Sequence, residues 1–386
     1  MFAKIDWLLI LLYIILVVFG WFNIYAASSM GTSHDIFDFS TKYGKQILWI
    51  GLSIPLIILL LFLNSRFYER FSGVLYLISL ILLAGVLVFG KTINNATSWY
   101  SFGSFSLQPS EFAKAFTALG VAKLMSDRQY DLKLFKNQIK AFIIIFLPAF
   151  FIALQPDMGS VLVYFAFFFV LNREGLTIIY ILIGFLAGTL FLLTIAFGIP
   201  WVLSPILFLL TLFFGYNTYK DKYFFRYNWT IITITYTLLI SYIFISPYIF
   251  NNVFRQHQRD RIEILLRLKS DNSNIGYNSH QAELTVSSGG FWGKGFLQGD
   301  RTQGHFVPEQ HTDYIFSVVS EEWGFLGSSL VIIVFMIFIL RIIYLSEKTL
   351  NKFGRIYGYG VASIFFFHVM INIGMVIGLF PTVGIP

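Results

Sequence analysis

Three proline-led corners of this 386-residue sequence place carboxylates where apolar runs begin: Gln108-Pro109-Ser110-Glu111, Gln155-Pro156-Asp157 and Pro308-Glu309-Gln310-His311-Thr312-Asp313. A carboxylate and a histidine at the mouth of a hydrophobic helix are costly unless something uses them, which makes the third corner the first place to look for chemistry. A plain alternative exists for each corner. Proline suits the first helical turn, and a carboxylate there is favoured by the helix dipole by about 0.3–1 kcal/mol. Helix starting explains less once the neighbours are included: Lys114 follows Glu111 inside an apolar run, and Glu321 and Glu322 follow Asp313 in the next one. Lys114 and Glu111 are spaced to pair along one helix face, and the same pair fits the lining of a polar cavity. Lys294 and Arg301 lie in a glycine-rich stretch, where backbone N–H groups and cations could converge on phosphate or simply meet water. Trp99 suits either an interfacial aromatic belt or stacking on a sugar face.

These residues must be held by membrane helices. The chain is 57% hydrophobic and 12% charged, with a mean hydropathy of +0.73, a balance that reads as a polytopic integral membrane protein. It has no cysteine, and its six histidines lack metal-ligand spacing, so disulfide, thiolate and zinc chemistry drop out. The net charge of +7 does not mark a nucleic-acid binder, because the basic residues fall in short loops between apolar runs.

Apolar runs near 7–26, 45–63, 73–90, 110–125, 139–155, 158–171, 176–198, 201–215, 229–250, 314–343 and 357–380 predict an all-α fold of about eleven membrane spans. The runs 110–125, 158–171 and 201–215 fall short of the roughly 20 residues an upright crossing needs, so re-entrant or buried half-helices are expected there. Arg66 and Arg70, then Lys133, Lys136 and Lys140, Arg173, Lys220, Lys222 and Arg226, and Lys348, Lys352 and Arg355 occupy alternate loops, which puts the N-terminus in the cytoplasm. The three polar corners then share the outer face with the large loop 251–312. Within that loop, Phe254 to Lys269 alternates Arg with Ile and Leu at helical spacing and predicts an interfacial amphipathic helix. The glycines that follow it predict tight bends folded against the membrane domain.

Taken together, Gln108-Pro109-Ser110-Glu111-Phe112-Ala113-Lys114, Gln155-Pro156-Asp157-Met158-Gly159-Ser160, Ser287-Ser288-Gly289-Gly290-Phe291-Trp292-Gly293-Lys294-Gly295, Pro308 through Phe316, Glu321-Glu322 and Asn372-Ile373-Gly374-Met375 resemble the SEDS family (shape, elongation, division and sporulation). The match runs from about residue 90 to the end in the family's order and favours its elongation branch over its division branch. The resemblance implies one membrane domain over 1–386 with a ten-helix core, an inserted hairpin at 199–250, and a last family helix beyond Pro386. In three respects the sequence departs from the pattern: that hairpin, the ending at Pro386, and Ser98 where the family commonly has Arg before the tryptophan.

The activity implied is a peptidoglycan glycosyltransferase that polymerises lipid II outside the bacterial cytoplasmic membrane during elongation. The 4-hydroxyl of an acceptor GlcNAc attacks the anomeric carbon of a donor MurNAc, undecaprenyl pyrophosphate departs, and the α-linked donor becomes a β-1,4 link. Such a displacement needs a base and charge stabilisation on the leaving group. By resemblance Asp313 is the base; Lys114, Lys294 and Arg301 are pyrophosphate candidates, with Glu111 orienting Lys114. Glu309, His311, Gln155, Asp157 and Trp99 complete the substrate-binding set. A class B penicillin-binding protein is the implied transpeptidase partner, beside membrane lipids. No cofactor is demanded by a ligand cluster, though a divalent cation, Mg or Mn, beside the pyrophosphate is compatible with the chemistry. The rival readings are a lipid-precursor flippase or other transporter and a structural partner of the elongation machinery. The clustering of polar motifs on one face favours the enzyme.

Overall fold

Long apolar stretches leave the backbone no water to bond, so each closes its hydrogen bonds within a helix. In the computed structural model, which describes residues 5–29, 37–93, 96–103, 105–221, 223–269 and 275–385, Lys222 and Pro386 lie outside the described residues. Contacts divide the chain into two compact units, Met1–Thr177 with Asn278–Pro386, and Ile178–Tyr277.

The first unit begins with α1 (Trp7–Ser28), α2 (Lys42–Phe62) and α3 (Ser65–Phe89), then strands β1 (Lys91–Ile93), β2 (Ala96–Phe102) and β3 (Phe105–Leu107). Helices α4 (Pro109–Ser126), α5 (Phe135–Leu154), α6 (Met158–Val163) and α7 (Phe167–Arg173) follow, the last two joined by a 3-10 turn. The second unit holds α8 (Ile179–Phe197), α9 (Ile199–Lys220), α10 (Phe224–Asn252) and α11 (Gln256–Leu265), with α9 and α10 occupying residues 199–250. After α12 (Ile275–Ser288), the first unit resumes with α13 (Asp300–Gln303), α14 (Ile315–Lys348) and α15 (Lys352–Val376). Nine of these helices are long and apolar enough to cross a membrane among the described residues, and α4 with the α6–α7 pair brings the spans to eleven. The chain is a multi-pass membrane protein.

Three expectations change. The run 201–215 is no half-helix: α9 has 22 residues, because Tyr216 to Lys220 continue its hydrogen bonding beyond the apolar window. The amphipathic helix expected over 254–269 is shorter, ending at Leu265 before Arg267 turns to a positive φ of 57°. The fold also carries a three-stranded antiparallel sheet, with Lys91 opposite Trp99 and Tyr100 opposite Leu107. Its alternating Thr, Trp, Tyr and Phe suit strands, and Gly103, at φ 65°, makes the second turn.

Helix α4 is the centre of the first unit. Its small residues Ala113, Ala118, Gly120 and Ala122 let neighbours approach closely, and Leu119 and Met125 pack with Leu83, Ile145, Tyr164 and Phe167 in one apolar core. Being buried, an 18-residue helix need not match the bilayer.

Helix α14 is broken at Gly324, where φ is 65° and ψ −165°. The segment Gly290–Gly295 fills the break with four backbone bonds: Lys294 N to Glu321 O at 3.0 Å, Gly295 N to Glu322 O at 2.9 Å, Phe325 N to Gly290 O at 2.9 Å and Leu326 N to Phe291 O at 3.2 Å. Helix groups orphaned by the break are thereby satisfied. A Cβ on Gly324 would overlap the Phe291 carbonyl and the Gly293 nitrogen, and its dihedrals are nearly exclusive to glycine. Gly324→Ala is therefore expected to cost about 1–3 kcal/mol or more in thermal unfolding of the purified protein. Gly215→Ala, whose methyl would meet nothing within 4 Å, should be neutral or stabilising. Equal stability of the two variants would contradict this account of the break.

Candidate active site

Successive antiparallel helices bring the C-termini of α1, α3, α5 and α15 together with the N-termini of α2, α4, α6 and α14 at one end of the first unit. All three proline corners lie there. Gln310 ties the third corner down: its buried amide donates to Ala27 O at 2.9 Å and Thr302 O at 2.8 Å. Gln303 reaches Ala26 O at 3.3 Å.

Asp313 is half-buried at the head of α14. Asn372 Nδ2 on α15 donates to the Asp313 carbonyl at 2.9 Å and to Ile385 O at 2.7 Å, so the chain end folds back across the aspartate. A Cβ on Gly384 would stand 3.3 Å from Asp313 Oδ2, which marks how closely that segment approaches the carboxylate.

Asn372 also lines a cavity of about 620 Å³ between α1, α4, α14 and α15. Its walls are largely apolar, with polar groups supplied by Asn23, Glu111, Lys114, His368 and Asn372. Lys114 is only 3% exposed. Its ammonium meets both Glu111 oxygens at 2.8 Å and His368 Nε2 at 2.8 Å. The structure thus joins the pairing of Lys114 with Glu111 and their place in a cavity wall.

Lys294 and Arg301 are placed differently from the expected phosphate cations. Lys294 Nζ lies 2.8 Å from Glu321 Oε1 and 3.1 Å from Asp300 Oδ2, and the Glu321 carboxylate holds its pKa above the usual lysine value. Glu321, with no exposed surface, also accepts from Arg301 N at 3.0 Å, Thr302 N at 2.8 Å, Thr302 Oγ1 at 2.7 Å and Ser288 Oγ at 3.1 Å. Arg301 donates to Thr285 and Gln281 and lies over the Phe306 ring. Both cations are engaged within the protein: the Lys294 ammonium holds the loop to α14, and the Arg301 guanidinium holds it to α12.

The Gln155 side chain is fully buried. Its Nε2 donates to Leu83 O at 3.0 Å while its carbonyl accepts Thr97 N at 3.2 Å, anchoring the sheet to α3 and α5. The buried Ser98 sits 3.5 Å from the same carbonyl, in a tight space that suits a small side chain. Trp99 next to it is partly exposed on β2. Asp157 caps α6, accepting from Ser160 N at 3.1 Å, Ser160 Oγ at 2.8 Å and Gln108 Nε2 at 2.9 Å.

Glu309 is exposed and adopts φ 55°, while His311 Nε2 lies 3.6 Å from its carboxylate and His311 Nδ1 lies 3.1 Å from Lys42 Nζ. Burial first, and the Lys42 charge second, hold the His311 pKa below its ordinary 6.5. Among the described residues, no three His, Asp or Glu side chains converge to hold a metal ion. Lys42, His368 and the double role of Asn372 escaped the sequence reading. Two polar residues four apart in the apolar run of α15 were the available signal for His368 and Asn372.

A protein-family model described as Cell cycle protein, covering FtsW, RodA and SpoVE, matches residues 6–210 and 201–386. This chain belongs to that family. It is 29% identical over 385 residues to the peptidoglycan glycosyltransferase MrdB of Escherichia coli (strain K12), covering 100% of this chain and 87% of the relative. It is 30% identical over 412 residues to the peptidoglycan glycosyltransferase RodA of Treponema pallidum (strain Nichols), covering 100% and 92%. A solved structure concerned with the coordination of polymerization and crosslinking by a peptidoglycan synthase complex shares the fold, with a TM-score of 0.69, 24% identity, and coverage of 99% of this chain and 90% of that one.

The His311 environment yields a prediction. By NMR titration, His311 should protonate below the ordinary histidine pH, and Lys42→Met should raise its pKa by removing one of the three lowering causes, burial, Lys42 and His305. The depressed pKa of His311 contributes stability that is present above the unfolded-state value and lost as pH falls through the folded one. A His311 pKa unmoved by Lys42→Met would contradict the contact.

Proposed function

We propose that this chain polymerises lipid II into β-1,4 glycan on the outer side of the bacterial cytoplasmic membrane, with Asp313 as the general base. The class of activity follows from the family, whose curated members above are peptidoglycan glycosyltransferases. This chain is a membrane-bound glycosyltransferase. The observation that carries the residue assignment is that Asn372 lines the cavity holding Lys114 and Glu111 and also donates to the Asp313 carbonyl.

On this reading Asp313 accepts the proton of the acceptor 4-hydroxyl as that oxygen attacks the donor anomeric carbon from the face opposite the leaving group. Inversion follows from the single displacement. The departing pyrophosphate gains negative charge, and the Lys114 ammonium, oriented by Glu111, stabilises it in a pocket of low dielectric. Lys294 and Arg301 act on the reaction by holding the loop that leads to Asp313. Glu309, His311 and Trp99 contact the acceptor sugar, and Asp157 fixes the start of α6. A Mg or Mn ion on the pyrophosphate would rest on the substrate's own oxygens.

The positions of the basic loops support a cytoplasmic N-terminus. The partner proposed is a class B penicillin-binding protein, in keeping with the synthase complex formed by the structural neighbour. A transporter would need polar groups through the depth of the bilayer. In this chain the cavity's ionic groups, Glu111 and Lys114, stand in the first turns of α4 instead.

The test is glycan polymerisation from purified lipid II by the protein with its partner, wild type against Asp313→Asn. The variant keeps the volume and the backbone bond from Asn372 but removes the base. General-base loss should lower the rate about 10²- to 10⁴-fold, with the melting temperature and lipid II binding retained. Undiminished polymerisation would remove Asp313 from the mechanism.

A further inference from the structure

Lys114 reaches its cavity from α4, and the residue facing it from α15 is His368, 254 positions later in the chain. A lysine ammonium has three donors and no acceptor, so a histidine nitrogen 2.8 Å away can only offer a lone pair. We infer that His368 is a positioning residue for Lys114, held as the neutral Nδ1-protonated tautomer with its Nε2 lone pair on the ammonium. The inference rests on the reading of Lys114 as the cation that meets the leaving pyrophosphate.

Lys114 is nearly without exposed surface and has a long, flexible stem. Its pairing with Glu111 fixes the ammonium from one side only, along its own helix. His368 adds a second anchor from another helix. Both Glu111 oxygens and His368 Nε2 then surround the ammonium of a side chain that lines the cavity. A neutral imidazole does this without adding charge, whereas an imidazolium at the same distance would set two cations against each other. His368 also lies one helical turn before Asn372, so a single face of α15 holds the ammonium at one level and the Asp313 backbone at the next.

The test uses the full chain with its partner and three variants. His368→Leu fills the space without an acceptor, His368→Gln offers an amide oxygen that does not titrate, and Lys114→Met removes the ammonium itself. Nitrogen-15 spectra of imidazole-labelled protein, with the signal assigned by its loss in His368→Gln, should show Nε2 unprotonated and Nδ1 protonated. His368→Leu should lower kcat for lipid II polymerisation about 10- to 100-fold with KM changed less than about 3-fold, the size of effect expected when a charged group is misplaced by about 1 Å. His368→Gln should recover most of that loss, and this rescue stays readable even if the Leu variant folds poorly. A protonated Nε2, or equal rates for the Gln and Leu variants, would overturn the inference. Loss of rate on Lys114→Met without loss on His368→Leu would overturn it alone, whereas full activity of Lys114→Met would overturn the underlying reading of Lys114.

Discussion

Glu321 is a carboxylate with no exposed surface in a membrane protein, a position tolerated only where donors replace the lost water. Five donors do so: the Lys294 ammonium, two hydroxyls and the N–H groups of Arg301 and Thr302. Because those donors come from the end of α12, the glycine-rich segment and α13, this one side chain fastens all three to α14. The break at Gly324 is the complement of that fastening, since the segment Gly290–Gly295 occupies the space and satisfies the backbone groups that an unbroken helix would have bonded internally. The loop from α13 to Asp313 then starts from a fixed point at Thr302 and is pinned again at Gln310. The half-buried aspartate acquires a defined position in this way.

The second constraint comes from α15. Asn372 and His368 stand one turn apart, and between them they touch the backbone of Asp313 and the ammonium of Lys114. Base and cation are thus referred to one rigid element, although their own helices, α14 and α4, enter the unit separately. Glycosyl transfer needs that arrangement, because proton removal from the acceptor and charge stabilisation on the donor pyrophosphate occur across the same anomeric carbon.

Much of this was legible in the sequence. The spans follow from apolar run length, since lipid forces backbone groups into helices, and the proline corners marked the polar end because proline and carboxylates suit first turns. The sheet over 91–107 was not legible among long apolar runs, because its strands are short and its pattern is interrupted by a turn. The glycines of 289–295 signalled bends, but the object they bend around, the break at Gly324, lies about 30 residues away. For the same reason Lys294 read as a phosphate cation: nothing local reveals that Glu321 and Asp300 already face it. His368 is a polar residue in the apolar run of α15 whose partner lies 254 positions earlier, a pairing that only the fold discloses.

The central claim is that one site, spanning Asp313 and the Lys114 cavity, holds both the acceptor and the leaving group. It is tested most directly by a cryo-electron microscopy structure of the protein with its partner and an unreactive lipid II analogue. The account predicts pyrophosphate oxygens within hydrogen-bond reach of Lys114 Nζ and an acceptor hydroxyl about 2.6–3.2 Å from the Asp313 carboxylate. A pyrophosphate bound instead at Lys294 and Arg301, or an acceptor hydroxyl remote from Asp313, would contradict it.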